Sequence, residues 1–182
     1  MNLYINCCVR EESRTDRLAH AVINKIGGDF HVLDLYSENI KPLDNERLSH
    51  RMELCANNDF SDTIFDLAKQ FASAETIVIA APYWDSSFPS MLKIYLENIY
   101  VIGIVTDYDD KGMPKGLCSA KKLYYVTTAG GVYDSIYSYG YIENLAKNYF
   151  GIKQTELVKA EMLDIVGFDA EDILQREIQK WQ

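Results

Sequence analysis

The chain has 182 residues, enough for one domain with a full hydrophobic core. Hydrophobic residues make up 48% of it and charged residues 25%, the balance of a folded globular protein. Its 18 Lys and Arg against 27 Asp and Glu leave a net charge of −9. That balance argues against nucleic acid or an anionic membrane as the main partner, because phosphate surfaces are held by clustered cations.

The N-terminus, Met1 to Arg10, lacks the basic lead and long apolar core of a signal peptide. No run approaches the ~20 apolar residues of a membrane span. Cys7, Cys8, Cys55 and Cys118 have neither zinc-site nor redox-motif spacing, so no metal is expected. These features predict a cytoplasmic protein with reduced thiols, built as a single domain over 1–182.

Leu3 to Cys8 is a short apolar run that predicts a first strand. After a polar stretch, Leu18, Val22 and Ile26 fall at helical spacing in a helix predicted over Arg17 to Ile26, with Gly27-Gly28 as the stop. Ser13 or Thr15 is placed to cap that helix. A strand that runs through a hydroxyl-bearing loop into a helix N-terminus is an anion site, because free N–H groups and the positive end of the helix dipole face outward. Arg10, Arg14 and Arg17 add cations there. Two readings stay open for this segment. Ser13, Arg14 and Thr15, with Arg10, hold a phosphate; or the hydroxyls cap the helix and the arginines pair with Glu11, Glu12 and Asp16. With no glycine, the loop is neither a Walker loop nor a dinucleotide fingerprint.

Phe30 to Tyr36 predicts a second strand. The connection 37–58 is long and polar, with a helical piece around Glu46 to Cys55; His50 and Arg51 in it read as solvated surface. Asp59 to Ser73 predicts an amphipathic helix with Phe60, Ile64, Leu67, Ala68 and Phe71 on one face and Asp59 or Ser61 as cap. Ile77 to Ala81 is a β-branched run of the kind buried on both faces of a parallel sheet, stopped by Pro82. Tyr83, Trp84 and Phe88 then place large aromatics in a turn-rich loop. Such a loop at the carboxyl end of a buried strand is where open α/β sheets bind flat ligands; the plainer reading is that the rings cap the core.

Pro89 to Val101 predicts a helix, and 102–117 a hairpin-like excursion turning at Asp109 to Gly112. Lys121 to Thr128 is a buried strand that runs into Ala129-Gly130-Gly131. The glycines either let backbone approach a ligand closely or serve a turn needing positive φ. A helix over Ile136 to Phe150 ends at Gly151. A strand over Glu156 to Leu163 and a helix over Asp169 to Trp181, capped by Asp169, complete the chain.

Strands alternating with helices imply an α/β fold: a doubly wound five-stranded parallel sheet with helices on both faces. In the flavodoxin-like order 2-1-3-4-5, the loops after the first, third and fourth strands lie side by side. Together they offer cations and N–H groups for a phosphate, aromatics for a ring, and glycine N–H groups for the ring's polar edge. Flavin mononucleotide (FMN) has these parts.

The chain resembles the flavodoxin-like NAD(P)H:quinone oxidoreductases, and within them the FMN-dependent NADH-azoreductase branch. Ala81-Pro82-Tyr83-Trp84-Asp85 followed by Phe88-Pro89-Ser90-Met91-Leu92-Lys93 resembles that family's Pro-Met-Tyr-Asn-Phe and Pro-x-x-Leu-Lys. Gly103 to Tyr108 and Gly112 to Leu117 resemble its Gly-Val-Thr-Phe-x-Tyr and Gly-Leu stretch. Thr127 to Tyr133 resembles its Thr-Ser-x-Gly-Gly-x-Tyr, and Arg10 with Ser13-Arg14-Thr15 fall where it binds phosphate. The resemblance implies that Ser13, Arg14 and Thr15, with Arg10, hold the FMN phosphate, and that Pro82, Tyr83, Trp84 and Asp85 lie against the ring. Thr128, Ala129, Gly130 and Gly131 would reach its N1 and O2 side. Cys8 replaces a hydroxyl residue of the first loop and counts among the cofactor positions. Phe88, Tyr108 and Tyr133 would line the substrate side.

The implied activity is hydride transfer from NADH or NADPH through flavin N5 to quinones, azo compounds or similar flat acceptors, in a homodimer. Tyr133 or water would supply any proton. The alternatives are a flavodoxin-type electron carrier, a flavin reductase, or a binding module without catalysis. Besides Cys8, three departures from the family pattern stand out: Asp85 for Asn, Trp84 for Tyr, and Thr106 for Phe. A charge at Asp85 would disfavour an anionic reduced flavin if it faced the ring.

Overall fold

The computed structural model describes residues 1–182. Strand β1 (Asn2–Asn6) leads into helix α1 (Arg14–Ile26), and β2 (Phe30–Asp34) into α2 (Asn45–Ala56) and α3 (Asp66–Ser73). β3 (Thr76–Ala80) is followed by α4 (Ser90–Ile99) and by a short antiparallel pair, β4 (Thr106–Tyr108) and β5 (Pro114–Gly116). β6 (Lys122–Thr128), α5 (Tyr139–Leu145), β7 (Gln154–Ala160) and α6 (Ala170–Gln179) complete the chain.

The main sheet runs β2-β1-β3-β6-β7 with every pair parallel. Among these five strands this is the expected 2-1-3-4-5 order, with its switch point between β1 and β3. Side chains alternate across the sheet. Leu3, Ile5, Ile77, Ile79, Leu123 and Tyr125 join Phe71, Leu92, Tyr95 and Phe150 in a cluster with α3, α4 and α5. Tyr4, Val78, Ala80, Val126 and Val158 meet Leu18, Val22 and Leu174 of α1 and α6 on the other face. Both faces are covered, so the strands read as nearly unbroken apolar runs. Each fully buried Leu or Ile is worth about 1.5–3 kcal/mol.

Element ends depart from expectation where polar side chains compete for the backbone. Ser13 Oγ accepts the Asp16 N–H at 3.3 Å, so Ser13 is the cap and α1 starts at Arg14, before Arg17. The predicted 59–73 helix is shorter. Asp59 Oδ1 takes the Ser61 N–H into a local turn, and Asp62 caps a 3₁₀ turn at Thr63–Phe65 before α3 begins. Likewise Asp134 Oδ1 accepts the Ile136 N–H, which holds 134–138 in turns and delays α5 to Tyr139. Beyond Leu145 the helix widens into a π turn, Ala146–Phe150, and stops at Gly151 with φ 81°. β7 spans Gln154–Ala160, earlier than the predicted 156–163, because Met162 takes φ 68° and breaks the extended run.

Arg51 donates to the Glu97 carbonyl at 2.9 Å, and His50 Nε2 lies 3.2 Å from Asp62. These contacts fasten α2 to its neighbours. No helix is long and apolar enough to cross a membrane.

Candidate functional site

The loops after β1, β3 and β6 leave the same edge of the sheet. In the first, Cys7 still donates its N–H to Ala80 O at 2.8 Å, and Cys8 donates to Asn6 Oδ1 at 2.9 Å as the chain turns outward. The N–H groups of Arg14 and Thr15, in the first turn of α1, have no acceptor within the helix. Thr15 is buried, and its hydroxyl lies 2.6 Å from that of Thr128 at the end of β6.

In the second loop, Ala81 donates to Val126 O and Tyr83 to Thr128 O, both at 3.0 Å, so the ladder carries on past Pro82. Trp84 and Ser87 then exchange N–H···O bonds of 2.9 and 2.8 Å. The turn they close has Asp85 at φ 48° and Ser86 at φ 65°. Consecutive positive φ matches the tight I′ hairpin turn. For side chains other than glycine it stores about 1–3 kcal/mol per residue.

In the third loop, Ala129 donates to Ala160 O at 2.9 Å. The segment after β7 answers: Leu163 donates to Ala129 O at 3.2 Å and Asp164 to Gly130 O at 2.9 Å. The loops enclose a cavity of about 510 Å³. That lies within the range of small-molecule sites, roughly 300–1,000 Å³.

A family model described as the flavodoxin-like fold matches residues 2–182. The chain belongs to this flavodoxin-like family. An FMN-dependent NADH:quinone oxidoreductase of Clostridium perfringens is 34% identical, over 98% of this chain and 94% of that relative. An azoreductase of Bacillus anthracis superposes with a TM-score of 0.83 at 21% identity, over 100% of this chain and 97% of the other. An FMN-dependent NADH-azoreductase of Bacillus anthracis, in complex with FMN, superposes with a TM-score of 0.80 at 22% identity, over 100% and 96%. The two structural likenesses agree with the flavodoxin-like fold.

In this flavodoxin-like chain the cavity brings together ten of the residues expected from the sequence. Arg10, Ser13, Arg14 and Thr15 line one end; Pro82, Tyr83, Trp84, Thr128, Ala129 and Gly130 line the rest. Cys8 and Gly131 lie off this wall, as does Asp85. Asp85 sits at the exposed tip of the turn, and the Cys8 thiol is buried 3.9 Å from Ala80 O. Burial pushes both the Cys7 and Cys8 thiols up to about 12, so neither is a thiolate nucleophile at neutral pH.

The residues expected on the substrate side lie elsewhere within one chain. Tyr133 stands behind Tyr83, the rings edge to face with centroids 4.8 Å apart. Its hydroxyl lies 2.7 Å from Ser138 Oγ and accepts the Tyr139 N–H at 3.3 Å, while its own N–H donates to Glu161 Oε2 at 2.8 Å. Burial raises its pKa. Phe88 packs against Tyr141 at 5.7 Å and lines a separate groove with Ile136 and Tyr137. Tyr108 is exposed on β4.

Two of the arginines find carboxylates far along the chain, not Glu11, Glu12 or Asp16. Arg14 Nη1 lies 2.9 Å from Asp164 Oδ1, and Arg17 Nη1 2.9 Å from Glu171 Oε2. Leu163 and Asp164 line the cavity and had no local signal, since they follow the last strand and reach the site only through the sheet. The clue available in the sequence was positional: every strand of a parallel sheet ends at the same edge.

Proposed function

We propose that this protein is an FMN-dependent NAD(P)H oxidoreductase acting on quinones, azo compounds or similar flat acceptors, with FMN held in the cavity between the loops after β1, β3 and β6. The observation that carries this reading is the cavity's two-ended chemistry. One end has a capped helix N-terminus with free N–H groups, Ser13, Thr15, Arg10 and Arg14. The other has Tyr83 and Trp84 beside the backbone of Thr128 to Gly130. The 34% identity to a relative named for this activity supports the same reading.

The donor set fits the group. Ser13, Arg14 and Thr15, with Arg10, hold the phosphate by N–H, hydroxyl and guanidinium contacts. Pro82, Tyr83 and Trp84 border the ring, and Thr128, Ala129 and Gly130 its polar edge. When bound, the flavin supplies a ring that takes and gives a hydride at N5. The chain's part is to bind and orient. Tyr83 is fixed through its N–H to Thr128 O and through its ring against Tyr133, so the wall is set before a ligand arrives. The buried Tyr133 hydroxyl leaves water as the proton source.

A homodimer completes the reading. Ile136 and Tyr137 are 63% and 68% exposed beside Phe88, an apolar face of the kind that seeks a partner. In a dimer, Phe88 or Tyr108 of one copy reaches the substrate side of the other. Four free cysteines fit a reducing cytoplasm.

The test is a visible absorption spectrum of the purified protein with FMN, then NADH, then a quinone. A bound flavin band that bleaches with NADH and returns with the quinone is expected. A band that NADH does not bleach would make the protein an electron carrier. Failure to bind flavin at ~10 μM, within the range of ordinary cofactor affinities, would remove the enzyme reading.

A further inference from the structure

The cavity wall carries two carboxylates, Glu12 and Asp164, and Asp164 is the one paired with an arginine of the phosphate end. Asp164 lies on the wall with Oδ1 2.9 Å from Arg14 Nη1. Its backbone is fixed by the bond from its N–H to Gly130 O at 2.9 Å. Its carboxylate lies over Gly130, where an added Cβ would stand 2.4 Å from Oδ2. A glycine at 130 therefore leaves room for this carboxylate. The side chains of Arg14 and Asp164 are 42% and 70% exposed, so the pair adds little to folding. Arg17 is already held by Glu171. Of the arginines on the wall, Arg10 is the one with no carboxylate within salt-bridge distance.

We propose that Asp164 is a specificity-determining residue for cofactor binding: a built-in competitor for Arg14 that weakens the hold on a flavin's phosphate more than the hold on its ring. This rests on the FMN reading above. The single Nη1 contact engages one of the guanidinium's five donors and part of its charge, both of which it would otherwise offer a phosphate. An entering phosphate dianion must share Arg14 with Asp164, or draw it away, and then sit near a like charge. Asparagine keeps the size of the side chain and removes the charge. A flavin without phosphate makes no demand on Arg14 and meets this carboxylate only where it lies over Gly130.

The experiment is a fluorescence-quenching titration of the flavin-free, full-length protein with FMN and, separately, with riboflavin, which has the ring but no phosphate. At low ionic strength Asp164→Asn tightens FMN binding by about threefold to fivefold, and the gain shrinks in high salt. Riboflavin binding changes by less than half as much. Arg14→Gln weakens FMN binding, and in the double variant the gain from Asp164→Asn disappears. FMN affinity unchanged or lowered by Asp164→Asn, or riboflavin tightened equally, would overturn the proposal. A wild-type chain that binds neither flavin overturns the FMN reading as well; FMN bound equally by both chains overturns only the role of Asp164.

Discussion

The hydroxyls of Thr15 and Thr128 stand 2.6 Å apart and join the first turn of α1 to the last residue of β6. Two of the three loops around the cavity are thereby locked together at the end proposed above to take a phosphate. Thr15→Val keeps the shape and removes the bond, leaving the Thr128 hydroxyl short of a partner. The expected loss is about 1–2 kcal/mol of stability, read from a urea unfolding midpoint. FMN affinity falls with it, because the N–H groups of α1 are no longer held in register with β6.

Gly116 of β5 passes directly over Gly151. A Cβ on Gly116 would lie 2.0 Å from Gly151 N and 2.2 Å from the Phe150 carbonyl carbon. Those atoms are backbone and cannot rotate aside. Gly116→Ala is expected to destabilise the protein by about 3 kcal/mol, at the upper end for overpacking, and to lift the β4–β5 hairpin off the π turn at Ala146–Phe150. Gly131→Ala is the control. Nothing lies within 4 Å of its added Cβ, so its unfolding midpoint shifts by no more than about 0.5 kcal/mol, as for an ordinary surface change.

The sheet was legible because its signals are local and repeated. Ile77 to Ala81 and Leu123 to Val126 are apolar on both faces, which only a covered parallel sheet requires. The ten cavity residues read from the sequence sit where strand ends place them, beside hydroxyls, aromatics and glycines that announce themselves. Asp164 did not, because its meeting with Arg14 joins residues from opposite ends of the chain. Tyr133 lies behind the cavity wall for a related reason. Its spacing from the glycines puts it in the right loop, but Ser138 and Glu161 draw it inward, and neither contact has a sequence signature. The tip position of Asp85 follows from a turn whose positive φ values fall on Asp and Ser, where glycine would have given it away.

Acid is expected to weaken the contacts of Glu161 and Glu171. Lys159, together with the Tyr133 N–H, holds Glu161 below the usual glutamate range. Arg17, then Gln175, holds Glu171 at about 2. The folded values lie below the unfolded one, so folding favours the ionised form. That stabilisation is complete above the unfolded glutamate pKa of about 4.3 and is lost as pH falls through the folded values. Tm is expected to be flat from neutral pH to about 5 and to drop below that unfolded value. Glu161→Gln lowers Tm at pH 7 and makes the acid fall shallower. Glu171 is exposed, so its share is smaller.

Tyr133 separates a structural role from a chemical one. Its hydroxyl is spent on Ser138 and on the Tyr139 N–H, and its ring backs Tyr83. Tyr133→Phe keeps the ring and removes the hydroxyl. Ser138, which is fully buried, then keeps only its 3.3 Å bond to the Asp134 carbonyl. Stability should fall by about 1 kcal/mol, measured by chemical denaturation, while kcat with a quinone stays within about threefold of wild type. General acid catalysis is worth about 100-fold or more. A fall of that size with an unchanged unfolding midpoint would mean the hydroxyl reaches substrate, which the burial of Tyr133 behind Tyr83 argues against.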